Sequence, residues 1–203
     1  MTELTQALGQ PGRKMMVAGG TDLLIRLRSN PPQQVILIDL SHVDALRHME
    51  RTEEGLRIGA MCTMSALSES PLLHAHAKIL ACAASQVGST QIRNRATLGG
   101  NVANAAQCAD TIPPLIALEA SVALMNSRGE LRSIKVEDFV TGIGRTQIAD
   151  TEVITAILIP GHNLSLKGGY AKVGAREAVT IAKVNCAGLF SFSEEENSVL
   201  HAR

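Results

Sequence analysis

Aromatic side chains are nearly absent from this chain: among 203 residues there is no Trp, one Tyr (Tyr170) and three Phe (Phe139, Phe190 and Phe192). A core must therefore be built from Leu, Ile, Val, Ala and Met, and a ring-stacking site must borrow aromatics or do without them. Charge of one sign is lacking as well. Nineteen Lys and Arg balance nineteen Asp and Glu, whereas a nucleic-acid groove needs a basic excess to neutralise phosphates. Long apolar runs are also missing: stretches such as Ile79 to Ala84 fall far short of the roughly 20 residues a bilayer requires. Met1 to Met16 carries no signal-like apolar segment, so no membrane role is expected. Finally, the four cysteines (Cys62, Cys82, Cys108, Cys186) include no close pair. Zinc and iron–sulfur sites need ligands clustered roughly two to four positions apart, so neither is expected. With no export signal, four reduced thiols in a cytoplasmic protein are expected, each a small buried hydrophobe.

What is present is 45% hydrophobic residues in 21.5 kDa, enough for one large domain or two small subdomains and a piece. Met15 to Ala18 reads as a strand that stops at Gly19-Gly20-Thr21-Asp22, after which Leu23, Leu24, Ile25 and Leu27 have helix-like density. Val35 to Ile38 reads as a second strand after Pro31-Pro32, which completes a βαβ unit. A hairpin is predicted around Glu53-Glu54-Gly55, and a long helix from Pro71 to about Gln86, ended by Gly88. A further helix is expected at Pro114 to Leu118. Strands follow at Val122 to Met125, Leu131 to Val136 and Val153 to Ile159, then at Tyr170 to Val173 and Ile181 to Phe192.

Two glycine loops carry chemistry. In Ala18-Gly19-Gly20-Thr21-Asp22 the glycines let backbone approach a phosphate, the following helix offers free N–H groups, and the Thr21 hydroxyl can donate. The Asp22 carboxylate would repel an anion, so it is expected to turn inward and cap the helix. Alone, this loop reads more readily as a plain turn before a capped helix. Thr97-Leu98-Gly99-Gly100-Asn101 repeats the chemistry: a hydroxyl, small residues whose N–H groups can face a ligand, and an amide side chain, again ahead of a helix. Two such loops suggest a diphosphate gripped from both sides, as in a dinucleotide. Neither follows the Rossmann or P-loop glycine pattern.

Val17 to Leu23, the block Gln91-Ile92-Arg93-Asn94-Arg95-Ala96-Thr97-Leu98-Gly99-Gly100-Asn101, Asp110, Tyr170-Ala171-Lys172, Arg176 and Ile181 to Val184 together resemble the FAD-binding subunit of the molybdenum hydroxylases, the xanthine dehydrogenase and carbon monoxide dehydrogenase family. The resemblance spans residues 14 to 195. It implies an α+β, PCMH-type FAD-binding fold of two α+β subdomains (1–52 and 53–162), followed by a truncated C-terminal α+β domain (163–203). It further implies that Met16, Val17, Ala18, Gly19, Gly20, Thr21, Asp22 and Leu23 form one diphosphate clamp, and that Thr97, Leu98, Gly99, Gly100 and Asn101 form the other. Asp110 would accept hydrogen bonds from FAD hydroxyls, its competing role being a helix cap. Val87, Ile154 and Lys172 fall at further contact positions, Lys172 bringing a cation. Arg93 and Arg95 are left between loop scaffolding and subunit contact.

By the same resemblance the chain is an oxidoreductase subunit. It would pass electrons from iron–sulfur clusters via FAD to NAD or another acceptor, beside a molybdopterin-binding large subunit and a 2Fe-2S small subunit. No side chain is expected to act as an acid or base, and no metal is expected. Gln107-Cys108-Ala109 departs from a family pattern that often has Pro before the acidic position. The competing reading is a truncated, flavin-free relative that serves as an assembly or interaction module.

Overall fold

A computed structural model describes residues 1–176, 178–193 and 198–203. The chain starts with α1 (Thr2–Gly9), a helix without an N-terminal side-chain cap that forms because Leu4 and Leu8, four residues apart on one face, are both buried. Next come β1 (Lys14–Val17), α2 (Leu23–Ser29) and β2 (Ile36–Asp39). β1 and β2 pair in parallel, Lys14 opposite Ile36 through Val17 opposite Asp39, as the βαβ reading requires. β3 (Met49–Arg51) and β4 (Gly55–Gly59) make the expected hairpin.

A helical stretch follows: α3 (Met64–Glu69), α4 (Pro71–His76), α5 (Lys78–Ser85), α6 (Thr90–Arg93), α7 (Leu98–Asn104) and α8 (Ile112–Ala117). The long helix expected from Pro71 is two helices. Ala77 leaves the helical region at φ −146, ψ 48, and α5 then turns into the interior, where Ile79, Leu80, Ala81, Ala83 and Ala84 are all buried. The remaining elements are β5 (Ser121–Asn126), β6 (Leu131–Lys135), α9 (Val136–Phe139), β7 (Val140–Gly142), β8 (Arg145–Thr146), β9 (Glu152–Pro160), β10 (Lys167–Gly174), β11 (Ala182–Phe192) and β12 (Val199–Ala202).

Five antiparallel strands form the central sheet in the order β3-β4-β9-β5-β6, with β9 buried along most of its length. The last three strands form a separate antiparallel sheet, β10-β11-β12, that packs through β10 on α5 and through β11 on α8. The mixture of helices and sheets is the α+β class expected. The larger hydrophobic cluster lies between the central sheet and α3, α5, α7 and α8. A smaller one joins Leu4, Leu8, Ile38 and Leu40 to Met61, Met125 and Val153 of the central sheet region. Both are aliphatic, with Phe139 the one fully buried ring among the described residues.

Of the four free cysteines only Cys62 is buried, and its burial pushes the thiol up to about 11. Cys186 is exposed, against the expectation of a buried hydrophobe, because it stands on the outward side of β11. No helix among the described residues is long and apolar enough to cross a membrane.

Candidate functional site

The first glycine loop leaves β1 and enters α2. Gly20 takes φ +72, a conformation that favours glycine. Gly19 is required for a different reason: a Cβ there would stand 1.9 Å from the Arg95 carbonyl oxygen, so the two loops touch backbone to backbone. The backbone N–H groups of residues 18–22 have no partner among the described residues, and neither does the Thr21 hydroxyl. A run of unpaired amides ahead of a helix is the donor set that an anion needs. Asp22 does not cap α2. Its backbone is near-helical (φ −114, ψ −48), whereas a capping side chain needs extended backbone. It pairs instead with Arg26 Nε at 3.1 Å on the exposed side.

The second loop is organised differently from expectation. Thr97 Oγ1 accepts the Gly100 N–H at 3.1 Å and so caps α7. The Leu98 and Gly99 amides donate to the carbonyls of Cys62 and Ala60, both at 2.9 Å, and Asn101 N–H donates to Thr97 O at 3.0 Å. All four amides are thus consumed inside the protein. This loop presents a smooth glycine wall and the Asn101 side chain, not backbone donors. Gly99 permits the close packing, since a Cβ there would lie 2.6 Å from that of Ala60.

Both loops line one cleft of about 340 Å³. It brings together Met16, Ala18, Gly19, Gly20, Thr21, Asp22, Leu23, Thr97, Gly99, Gly100, Asn101 and Ile154 of the residues singled out by sequence. Val17, Leu98, Val87, Asp110 and Lys172 do not line it. The first two support the loops from behind, with Val17 in the β1 ladder and Leu98 fully buried. The cleft also contains Met15, Leu40, Met61, Asn104 and Val153, which the sequence reading missed. Asn104 was findable, because it stands three residues after Asn101 on a helix. Met61 and Val153 were not, because long-range packing delivers them. Among the described residues no aromatic side chain lines the cleft, whose apolar lining is aliphatic and thioether.

Asp110 and Lys172 meet each other instead, in a seam between α8 and the last sheet. Lys172 Nζ donates to Asp110 Oδ2 at 2.6 Å and to the Gln86 carbonyl at 2.9 Å. Asp110 Oδ1 accepts from Tyr170 at 2.9 Å and from Asn185 Nδ2 at 3.4 Å. The Lys172 and Asp110 side chains are only 4% and 7% exposed. Burial, followed by the neighbouring Asp110 carboxylate, pushes the Tyr170 phenol well above its ordinary range, so it stays a donor. Asp110 is not the cap of α8, whose capping position is Thr111. Val87 packs against the larger core nearby. Arg93 holds its own loop, its guanidinium donating to the carbonyls of Val87 and Gly88. No cluster of His, Cys, Asp or Glu able to hold a metal occurs among the described residues.

The fold is α+β, and its cleft lies between a strand-to-helix loop with unpaired amides and a second, glycine-rich loop. Residues 1–162 match the family described as FAD binding domain in molybdopterin dehydrogenase, and the chain belongs to that family. The xanthine dehydrogenase FAD-binding subunit of Escherichia coli O157:H7 is 33% identical over 85% of this chain and 59% of its own length. The nicotinate dehydrogenase FAD-subunit of Eubacterium barkeri is 31% identical over 83% of this chain and 58% of its own. This chain therefore spans about three fifths of these relatives. Among solved structures, carbon monoxide dehydrogenase from Hydrogenophaga pseudoflava superposes with a TM-score of 0.90 at 30% identity, over 100% of this chain and 69% of that one. Quinoline 2-oxidoreductase from Pseudomonas putida 86 gives 0.91 at 27% identity, over 100% and 69%. The cofactor of the family is FAD, and the unpaired amides of residues 18–22 fit its diphosphate.

Proposed function

We propose that this chain is the FAD-carrying, electron-transferring subunit of a cytoplasmic molybdenum hydroxylase, beside a molybdopterin-binding large subunit and a 2Fe-2S small subunit. NAD or another acceptor takes the electrons. The observation that carries the reading is the row of unpaired amides at residues 18–22, in a loop that lines the same cleft as Gly99 and Gly100. Free thiols at all four cysteines accord with a reducing compartment. FAD, when bound, supplies the redox chemistry through its isoalloxazine ring.

The chain's own residues bind and orient. Residues 18–22 donate to the diphosphate, with the Thr21 hydroxyl beside them. Met16, Leu23 and Ile154 give the cleft its apolar sides, and Thr97, Gly99, Gly100 and Asn101 close it opposite. Val17 and Leu98 back the two loops, Asp22 holds Arg26 at the rim, and Val87, Asp110 and Lys172 hold the adjoining seam. In this reading residues 1–52 and 53–162 are the two cofactor subdomains and 163–203 begins a third unit.

Protein purified without added cofactor is expected to show flavin absorption and to release FAD on denaturation. Colourless protein that also fails to bind added FAD would remove the reading. Gly100→Glu places a carboxylate on the glycine wall, where the nearest non-adjacent atom to a new Cβ is Thr97 Oγ1 at 2.9 Å. This variant should fold and lose the flavin; full flavin content would take the second loop out of the site.

A further inference from the structure

Because the second loop spends its backbone donors internally, its contribution to an anionic ligand rests on side chains, and the one amide among them is that of Asn101. That residue lines the cleft. An amide can present either an acceptor oxygen or a donor NH2, and the structure contains a group that decides which. The Thr111 hydroxyl donates to Asn101 Oδ1 at 2.6 Å. This spacing belongs to O–H···O bonds, which run about 2.5–3.0 Å, and is shorter than the roughly 2.9–3.0 Å typical when an amide nitrogen donates. Thr111 is fully buried. Its hydroxyl has no other partner among the described residues.

The seam fixes Thr111 in turn. Its neighbour Asp110 is held by Lys172, Tyr170 and Asn185 from the last sheet, which occupy both carboxylate oxygens. The Thr111 carbonyl accepts from Leu115 N–H at 3.1 Å, which anchors the residue to α8. With Oδ1 engaged, the two N–H groups of Asn101 Nδ2 are left without a partner among the described residues.

We propose that Thr111 is a positioning residue for the cofactor: it locks the Asn101 amide with its donor end toward the cleft, so that the second loop meets the FAD diphosphate with a side-chain N–H. This rests on the reading of the cleft as an FAD site. It makes the clamp asymmetric, with backbone donors on one side and one oriented amide on the other.

The test is FAD titration of the full chain, stripped of flavin and followed by flavin fluorescence, for wild type, Thr111→Val, Thr111→Ser and Asn101→Asp. Thr111→Val keeps the shape and removes the hydroxyl; it should weaken FAD binding by on the order of tenfold, the worth of one hydrogen bond. Thr111→Ser should restore wild-type affinity. Asn101→Asp preserves an acceptor for Thr111 but replaces the donor with a negative charge, and should weaken binding on the order of a hundredfold. Riboflavin, which has no diphosphate, should bind wild type and Thr111→Val equally. Wild-type FAD affinity in either Thr111→Val or Asn101→Asp overturns the assignment, as does an equal loss for riboflavin. If Thr111→Val fails to fold, Asn101→Asp decides alone. A wild-type chain that binds no FAD would instead sink the cofactor reading itself.

Discussion

At the scale of single residues the glycines of the cleft have distinct physical duties. Gly20 serves a left-handed turn, and an added Cβ would meet only the movable Leu24 side chain at 2.9 Å. Gly19 serves a backbone contact: its absent side chain is replaced by the Arg95 carbonyl, which cannot step aside without moving the second loop. Gly19→Ala should therefore separate the loops, lower stability by about 1–3 kcal/mol as overpacking does, and reduce FAD binding. Gly169→Ala, where no atom lies within 4 Å of the new Cβ, is the control and should leave the cofactor in place. Urea unfolding and flavin titration of the pair check this; wild-type behaviour of Gly19→Ala would mean that the loops do not meet as described. Asp22 illustrates the reverse lesson. Its residue type advertises a cap, but capping is a property of backbone angle, and residue 22 has turned helical before the side chain can reach back.

At the scale of elements, local signals were readable and long-range ones were not. The hairpins announce themselves through Glu53-Glu54-Gly55 and Ser127-Arg128-Gly129, because turn chemistry and alternation sit within a few residues. The insertion of β9 between β4 and β5 carries no local mark. For the same reason the sequence hides the fate of the Leu98 and Gly99 amides, which are satisfied by Cys62 and Ala60, far away in sequence. The resemblance located Asp110 and Lys172, yet only the fold shows that they face each other. Their seam fastens the last sheet to α8 through a pair with little solvent to weaken it. Removing one member strands the other, a loss of about 3–5 kcal/mol for buried pairs. Lys172→Met should show a cost of that order in urea unfolding. Adding Asp110→Asn should recover part of it, because the stranded charge is gone while Tyr170 keeps an acceptor. Additive costs in this cycle would mean that the two groups do not interact.

At the scale of the whole molecule, several carboxylates staple segments that are distant in sequence. Glu152 takes two hydrogen bonds from Arg132, at 2.5 and 2.7 Å, across the central sheet region. Glu119, in the turn after α8, accepts from His162 Nε2 at 2.7 Å and Asn163 Nδ2 at 3.2 Å, and from the Arg203 guanidinium. It thereby joins the helical layer, the β9–β10 connection and the last strand. The hydrogen bonds from His162 and then Asn163 pull its carboxyl down from 4.5 to about 2. A carboxylate whose pKa is lower in the folded state contributes stability that is complete above its unfolded value and fades as pH falls toward the folded one. The Glu119 share is therefore whole above about pH 4.5 and drains away between there and about pH 2. Glu119→Gln should lower stability at neutral pH and make the decline below pH 4.5 shallower than in wild type, while the Glu152 contribution persists in both. Chemical unfolding at a series of pH values measures the two slopes. Parallel curves for the two proteins would show that the Glu119 staple does not set the acid limit of the fold.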